Sequence, residues 1–254
     1  MSEAAKAPDQ ADQIRATRFA PLAEPMFRAP RLWSNKELSR IGALFDGDVV
    51  NVSAWRDEDK AGRRYRDYFP RARSYTLTNF ESDMRGWQGL DGEIFLDLEG
   101  DLPPELRGSF DVVFNHTALE HIFEFRRAFS NLCALSRDVV IVVAPWLQPQ
   151  HSDYGDYWRF SPLAIARLFT ENGLKPARIT WNKAPRTSVY VFGVGVRDTA
   201  RWAGTFEFDC DPSAENFTRL PPSFAGERAL PTGMLAQLRA PFSKIANAFR
   251  GPRP

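Results

Sequence analysis

Two short apolar runs most constrain how this chain folds. Asp111-Val112-Val113-Phe114 and Val139-Val140-Ile141-Val142-Val143 carry no polar alternation. A strand wetted on one side alternates polar and apolar residues, so unbroken runs like these predict strands covered on both faces. Between them, Ala118 to about Leu135 places Leu119, Ile122, Phe125, Phe129, Leu132 and Cys133 on one helical stripe. Thr117 and Glu120 have capping-box spacing, which predicts that this helix starts at Ala118. Strand, helix and strand of these lengths form a right-handed βαβ unit and call for a parallel sheet.

The neighbouring segments extend that sheet. Val49 to Val52, Ser74 to Thr78 and Ile94 to Leu96 are further β-type runs upstream. Downstream, Ala177 to Trp181 and Ser188 to Val196 are joined by a short link, which predicts an antiparallel hairpin. Ser161-Pro162 is an N-cap followed by proline at the first helical turn, and that helix stops near Asn172-Gly173. Ser34 and Glu37 also have capping-box spacing, ahead of Leu38, Ile41, Leu44 and Phe45, so a short amphipathic helix is expected from Ser34. The domain plan is then a disordered tail over 1–30, an α/β domain over 31–198 and a C-terminal extension over 199–254.

Composition narrows the function classes. Thirty-three Lys and Arg against thirty-two Asp and Glu leave a formal charge of +1, which argues against a nucleic-acid binder. Two cysteines, Cys133 and Cys210, supply neither a disulfide framework nor a Cys-rich zinc site, and a reducing, cytoplasmic setting is expected. The apolar heart from Val139 to Leu147 is too short to span a bilayer, which takes about 20 residues. The first residues hold no apolar segment of a secretory signal. In the extension, Leu235, Leu238, Phe242, Ile245 and Phe249 form one helical stripe, interrupted by Pro241. Residues 219–254 hold six Lys and Arg against one Glu. Such a helix lies on an anionic membrane surface, or packs on the sheet domain or a second subunit in a homodimer; both readings stay open.

Ligands of an open parallel sheet bind beyond the carboxyl ends of its strands. The residues there are Ser53-Ala54-Trp55, Asn79, Asp97-Leu98-Glu99, Asn115-His116-Thr117 and Pro145-Trp146-Leu147. All three histidines lie in this region. His116 and His151 sit on strand-end loops and are candidate general bases, while a helical His121 reads as structural. A metal set drawn from these histidines with Asp153 and Asp156 lacks a recognised ligand spacing, so no metal ligand is assigned.

The run Phe110-Asp-Val-Val-Phe-Asn-His-Thr-Ala-Leu-Glu-His-Ile122 resembles the fourth-strand signature of class I S-adenosylmethionine-dependent methyltransferases. Asp97-Leu98-Glu99-Gly100-Asp101-Leu102-Pro103 is similar to the family's third-strand loop, and Asp138 to Pro145 to its fifth strand. Asp156-Tyr157-Trp158-Arg159-Phe160-Ser161-Pro162 is similar to a segment of type 11-like members found in bacterial surface-polysaccharide biosynthesis. The resemblance covers about Gly47 to Asp198. It implies a Rossmann-like α/β fold: a mostly parallel seven-stranded sheet with helices on both faces and a C-terminal antiparallel hairpin. It departs from the family at the first turn, Asn51 to Asp57, which has no glycine, and at Asn79, where an acidic residue usually accepts the ribose hydroxyls. Glu81 stands two residues on as a substitute.

What the resemblance implies is an S-adenosylmethionine site at Ser53, Ala54, Trp55, Asn79, Asp97, Leu98 and Asn115. His151, then His116, is the expected base for O-methylation of a sugar or glycan precursor, a small-molecule or glycan acceptor. A catalytically inactive interaction protein of the same fold is the alternative, which the glycine-free turn favours. A metal-dependent hydrolase, resting on the histidines alone, is a third.

Overall fold

A computed structural model describes residues 27–208, apart from 60, 81–85, 152–154 and 185–186. The expected disordered tail (up to 26) and the basic amphipathic stretch near the C-terminus lie outside the described residues. Seven strands form one sheet: β1 (Asp48–Val52), β2 (Ser74–Asn79), β3 (Ile94–Phe95), β4 (Phe110–His116), β5 (Ser136–Leu147), β6 (Lys175–Trp181) and β7 (Val189–Val196). Their order is β3-β2-β1-β4-β5-β7-β6. The first five are mutually parallel, and β7 runs antiparallel between β5 and β6. The expected mixed sheet with its terminal hairpin is therefore present.

The central strands are buried on both sides, as their unbroken apolar runs require. Val50, Val52, Val113, Val140 and Val142 point to one core with Phe129, Leu132, Ile165 and Phe169. Those partners come from helices α2 (Phe125–Leu135) and α3 (Pro162–Glu171). The alternate residues Val49, Val112, Phe114, Val139 and Ile141 point to the opposite core. There they meet Leu38 and Ile41 of helix α1 (residues 27–41) and Trp202 of α4 (Thr199–Trp202). Ser161 Oγ accepts from Ala164 N at 3.2 Å, so the N-cap of α3 is where the sequence places it.

Three expectations need correction. Residues 27–30 belong to helix α1, not to a tail, and Ser34 lies inside that helix and is no cap. Its hydroxyl instead donates back to Arg31 O, the mid-helix habit of serine. The helix expected from Ala118 is interrupted: a 3-10 turn covers Leu119–His121, and α2 starts only at Phe125. Finally, the sheet domain does not end at 198. Trp202 and Phe206 are buried in the second core, and Trp202 Nε1 donates to Asp138 Oδ2 at 2.8 Å. A segment this well packed belongs to the domain.

Candidate functional site

Strand order reverses between β1 and β4, where β2 leads to one side and β5 to the other. A cleft of about 560 Å³ opens there at the carboxyl ends of the strands, as expected for an open parallel sheet. Ser53, Ala54, Trp55, Asn79, Asp97, Leu98 and His116 all line it, so seven of the nine expected site residues converge. Asn115 and His151 are not among the lining residues. Asn115 is fully buried, and its Nδ2 donates to Val52 O at 3.0 Å, tying β4 to β1.

The turn after β1 takes the backbone path of a glycine turn without any glycine. Ser53, Trp55 and Asp57 have φ of 57°, 50° and 60°. L-residues reach this left-handed region at a cost of roughly 1–2 kcal/mol each. Hydrogen bonds from buried side chains offset that cost. Asp57, itself buried, accepts Asn51 Nδ2 and Tyr75 OH on Oδ1, both at 2.8 Å, and Arg66 N on Oδ2 at 3.1 Å. Burial raises its pKa above the usual carboxylate value, against the pull of these donors. Asn79 accepts Trp55 N on Oδ1 at 2.6 Å and donates through Nδ2 to Trp55 O at 3.1 Å. Ala54 N donates to Thr78 O at 3.1 Å. Two amides of the turn are thus committed to β2 and its Asn79.

Asp97 lies on the cleft wall after β3, its Oδ1 accepting Glu99 N at 2.8 Å. Glu58 and Glu99 add two more carboxyl groups to the lining, and Phe80, Leu96, Leu98 and Ile122 give it apolar surfaces. Glu81 lies outside the described residues. Sequence reading missed Arg31 and Tyr65, which also line the cleft. They come from segments with no strand-end position, and only packing brings them in.

His116 is locked in the wall of the cleft. Ser34 Oγ spends its proton on Arg31 O, so His116 Nε2–H donates to Ser34 Oγ at 2.9 Å. Its Nδ1 then accepts from the Thr117 hydroxyl at 3.1 Å. Burial, with Arg31 nearby, holds its pKa well below the usual imidazole value, so it stays neutral. A ring with both nitrogens engaged has no lone pair open to a substrate proton.

The other two histidines meet in a corner next to the cleft, where His121 is part of the lining. Their ring centroids are 5.2 Å apart. His121 Nδ1–H donates to Gly155 O at 2.5 Å, and His151 Nδ1–H donates to Asp156 Oδ2 at 3.1 Å. Burial lowers both pKa values. Although burial opposes it, Arg159 and the His151 amide hold Asp156 down to about 2. Arg159 pairs with both oxygens of Asp156, which gives it the structural role of an ion pair; Asp153 lies outside the described residues. Trp158 packs on Phe125 with ring centroids 4.7 Å apart and donates to Phe123 O, a structural place.

Glu120 completes the corner. The helical capping role expected of it is absent: its side chain is fully buried, and neither carboxyl oxygen has a hydrogen-bond partner. Burial pushes its pKa up to about 7. Its Oε1 lies 3.7 Å from His121 Nε2. The only sequence signal was the adjacency of Glu120 and His121, which helix patterning had absorbed.

No family model matches the sequence, and neither does any curated protein. Solved structures of similar outline are methyltransferases. Magnesium protoporphyrin IX methyltransferase from Synechocystis, bound to S-adenosylhomocysteine, is 13% identical with a TM-score of 0.48, over 74% of this chain and 95% of that one. A methyltransferase described from Bacillus halodurans is 12% identical with a TM-score of 0.48, over 64% and 97%. The Burkholderia thailandensis 1,6-didemethyltoxoflavin N1-methyltransferase is 13% identical with a TM-score of 0.46, over 76% and 92%.

Proposed function

We propose that this protein is an S-adenosylmethionine-dependent methyltransferase acting on an oxygen of a sugar or glycan precursor. The observation that carries the reading is the acid-lined cleft across the ends of β1 to β4, with a histidine corner at its edge. Its volume suits a cofactor-sized ligand. The residues fit this cofactor: carboxyl groups of Asp97 and Glu99 suit its hydroxyl, amino and cationic groups, and Phe80, Leu96 and Leu98 offer apolar walls to a flat base. When bound, the cofactor supplies an electrophilic methyl group on a sulfonium. Asn79 holds the Trp55 turn in place and has its carbonyl oxygen committed there, so hydroxyl recognition falls to Asp97. Proton removal from the acceptor falls to the Glu120–His121–His151 corner, since both ring nitrogens of His116 are engaged by Ser34 and Thr117. Exposed Phe123 and Tyr157, stacked edge to face at 5.3 Å, present aromatic faces near that corner for a sugar ring.

Calorimetric titration of the purified protein with S-adenosylmethionine tests the reading. Saturable binding is expected, with Asp97→Ala weakening it by about 1–3 kcal/mol, the cost of leaving a donor unpaired. An absence of heat and of thermal shift at millimolar ligand sinks it. A second reading, an inactive interaction module of the same fold, is favoured by one observation: Ala54 and Trp55 amides are turned to Thr78 and Asn79 rather than left open to a ligand.

A further inference from the structure

Glu120, His121 and His151 bring one ligand atom each within 4.8 Å of the others. Three features of this corner are those of a metal site. The carboxyl group of Glu120 is fully buried and unpartnered. An isolated buried carboxyl is costly, and a cation among its neighbours removes that cost. Both imidazoles are oriented from behind: Gly155 O takes the Nδ1 proton of His121, and the Asp156 carboxylate takes that of His151. Each ring therefore carries its lone pair on Nε2, and His121 Nε2 is the atom nearest Glu120. Outer partners of this kind fix tautomer and ring angle in metal-binding histidines. Asp156 is in turn held by Arg159, and the Glu120 backbone carbonyl is held by Tyr157 N at 2.8 Å.

We propose that Glu120, His121 and His151 bind one divalent transition-metal ion of the zinc class. Two imidazoles and one carboxylate suit such an ion, while calcium and magnesium prefer oxygen ligands throughout. Zinc takes these ligands at about 2.0–2.2 Å, so the three atoms draw closer together on binding. His121 lines the cleft, so the coordination positions left open face it. An acceptor hydroxyl bound at such a position would be polarised by the ion and would lose its proton to solvent water; that role, unlike the binding itself, rests on the methyl-transfer reading.

The test uses untagged, chelator-treated full-length protein titrated with Zn²⁺ by calorimetry and with Co²⁺ by visible absorption. One equivalent is expected to bind, with the d–d bands of a low-coordinate cobalt site. Glu120→Gln, which keeps shape and removes charge, should weaken Zn²⁺ by about 10²-fold or more, and Asp156→Asn by about 10–100-fold. Circular dichroism and melting of the metal-free variants check that they fold. If a histidine variant fails to fold, Glu120→Gln and the cobalt spectrum of the unaltered protein still decide. No binding at millimolar Zn²⁺, or binding that Glu120→Gln leaves unchanged, overturns the site. S-adenosylhomocysteine is titrated separately, with and without chelator. Zinc binding without nucleoside binding upholds the metal site and sinks the methyl-transfer reading; nucleoside binding without zinc does the reverse.

Discussion

The side-chain amide of Asn79 grips the main chain of Trp55 at both ends, accepting its N–H at 2.6 Å and donating to its carbonyl at 3.1 Å. The same Nδ2 donates to Glu93 Oε1. A residue that carries both a donor and an acceptor is needed here, because an unsatisfied backbone group next to a buried side chain is costly. That explains why asparagine stands where an acid was expected. Asn79→Ala should lose about 1–3 kcal/mol of stability in urea unfolding. Asn79→Asp should also destabilise at neutral pH, since it sets a second carboxylate beside Glu93 and loses both donated bonds. An Asn79→Asp protein as stable as wild type would show that the grip does not hold the turn.

Ser53 bears the strain that a glycine turn avoids. With φ at 57° and a half-buried side chain, it sits in the left-handed region, where an L-residue costs about 1–2 kcal/mol. Ser53→Gly is therefore expected to keep or raise the stability measured by urea unfolding, by up to about 1 kcal/mol once the unfolded chain's extra freedom is counted. Ser53→Val should lower it, because a β-branched residue tolerates this conformation least. Loss of stability in the glycine variant would mean that the serine side chain, not the backbone, matters there.

Gly195 sets how closely α3 approaches the sheet. A Cβ at this position would lie 2.4 Å from Cδ1 of Phe169, a fully buried ring. Gly195→Ala should destabilise by about 1–3 kcal/mol, the usual cost of overpacking. A paired Phe169→Leu change should recover part of that loss, which thermal melting of the single and double variants checks.

At the amino ends of the strands, Asp111 accepts Arg137 Nε on one oxygen and Asp48 N on the other, at 2.9 Å and 2.8 Å. The Arg137 guanidinium, together with that amide, holds its pKa below the usual carboxylate value. Asp48 is lowered likewise by Arg73. Folded values below the unfolded one, near 3.9, mean that the stabilisation is complete above that pH and is lost as pH falls through the folded value. Asp111→Asn should therefore cost on the order of 1 kcal/mol at pH 7, with a gap that narrows below about pH 4. A gap that is constant with pH would assign the loss to packing.

Local pattern was enough for the sheet. The apolar runs around Val113 and Val140 became β4 and β5, and the two runs flanking the short link after Trp181 became the antiparallel pair β6 and β7, because period and run length act within a few residues. The strand ends then located most of the cleft, Ser53, Asn79 and Asp97 included. Only tertiary structure decided what happens after Thr117. Glu120 O accepts Tyr157 N and Trp158 N from a segment almost forty residues away, and Glu124 N donates to Glu99 Oε1. Both halves of the helical bond from Glu124 N to Glu120 O are thus taken by distant partners, so the patterned helix breaks there and α2 starts afresh. The same break turns Glu120 and His121 toward His151. Residues so far apart in the chain share a corner through those long-range hydrogen bonds, and no periodicity within a single segment encodes them.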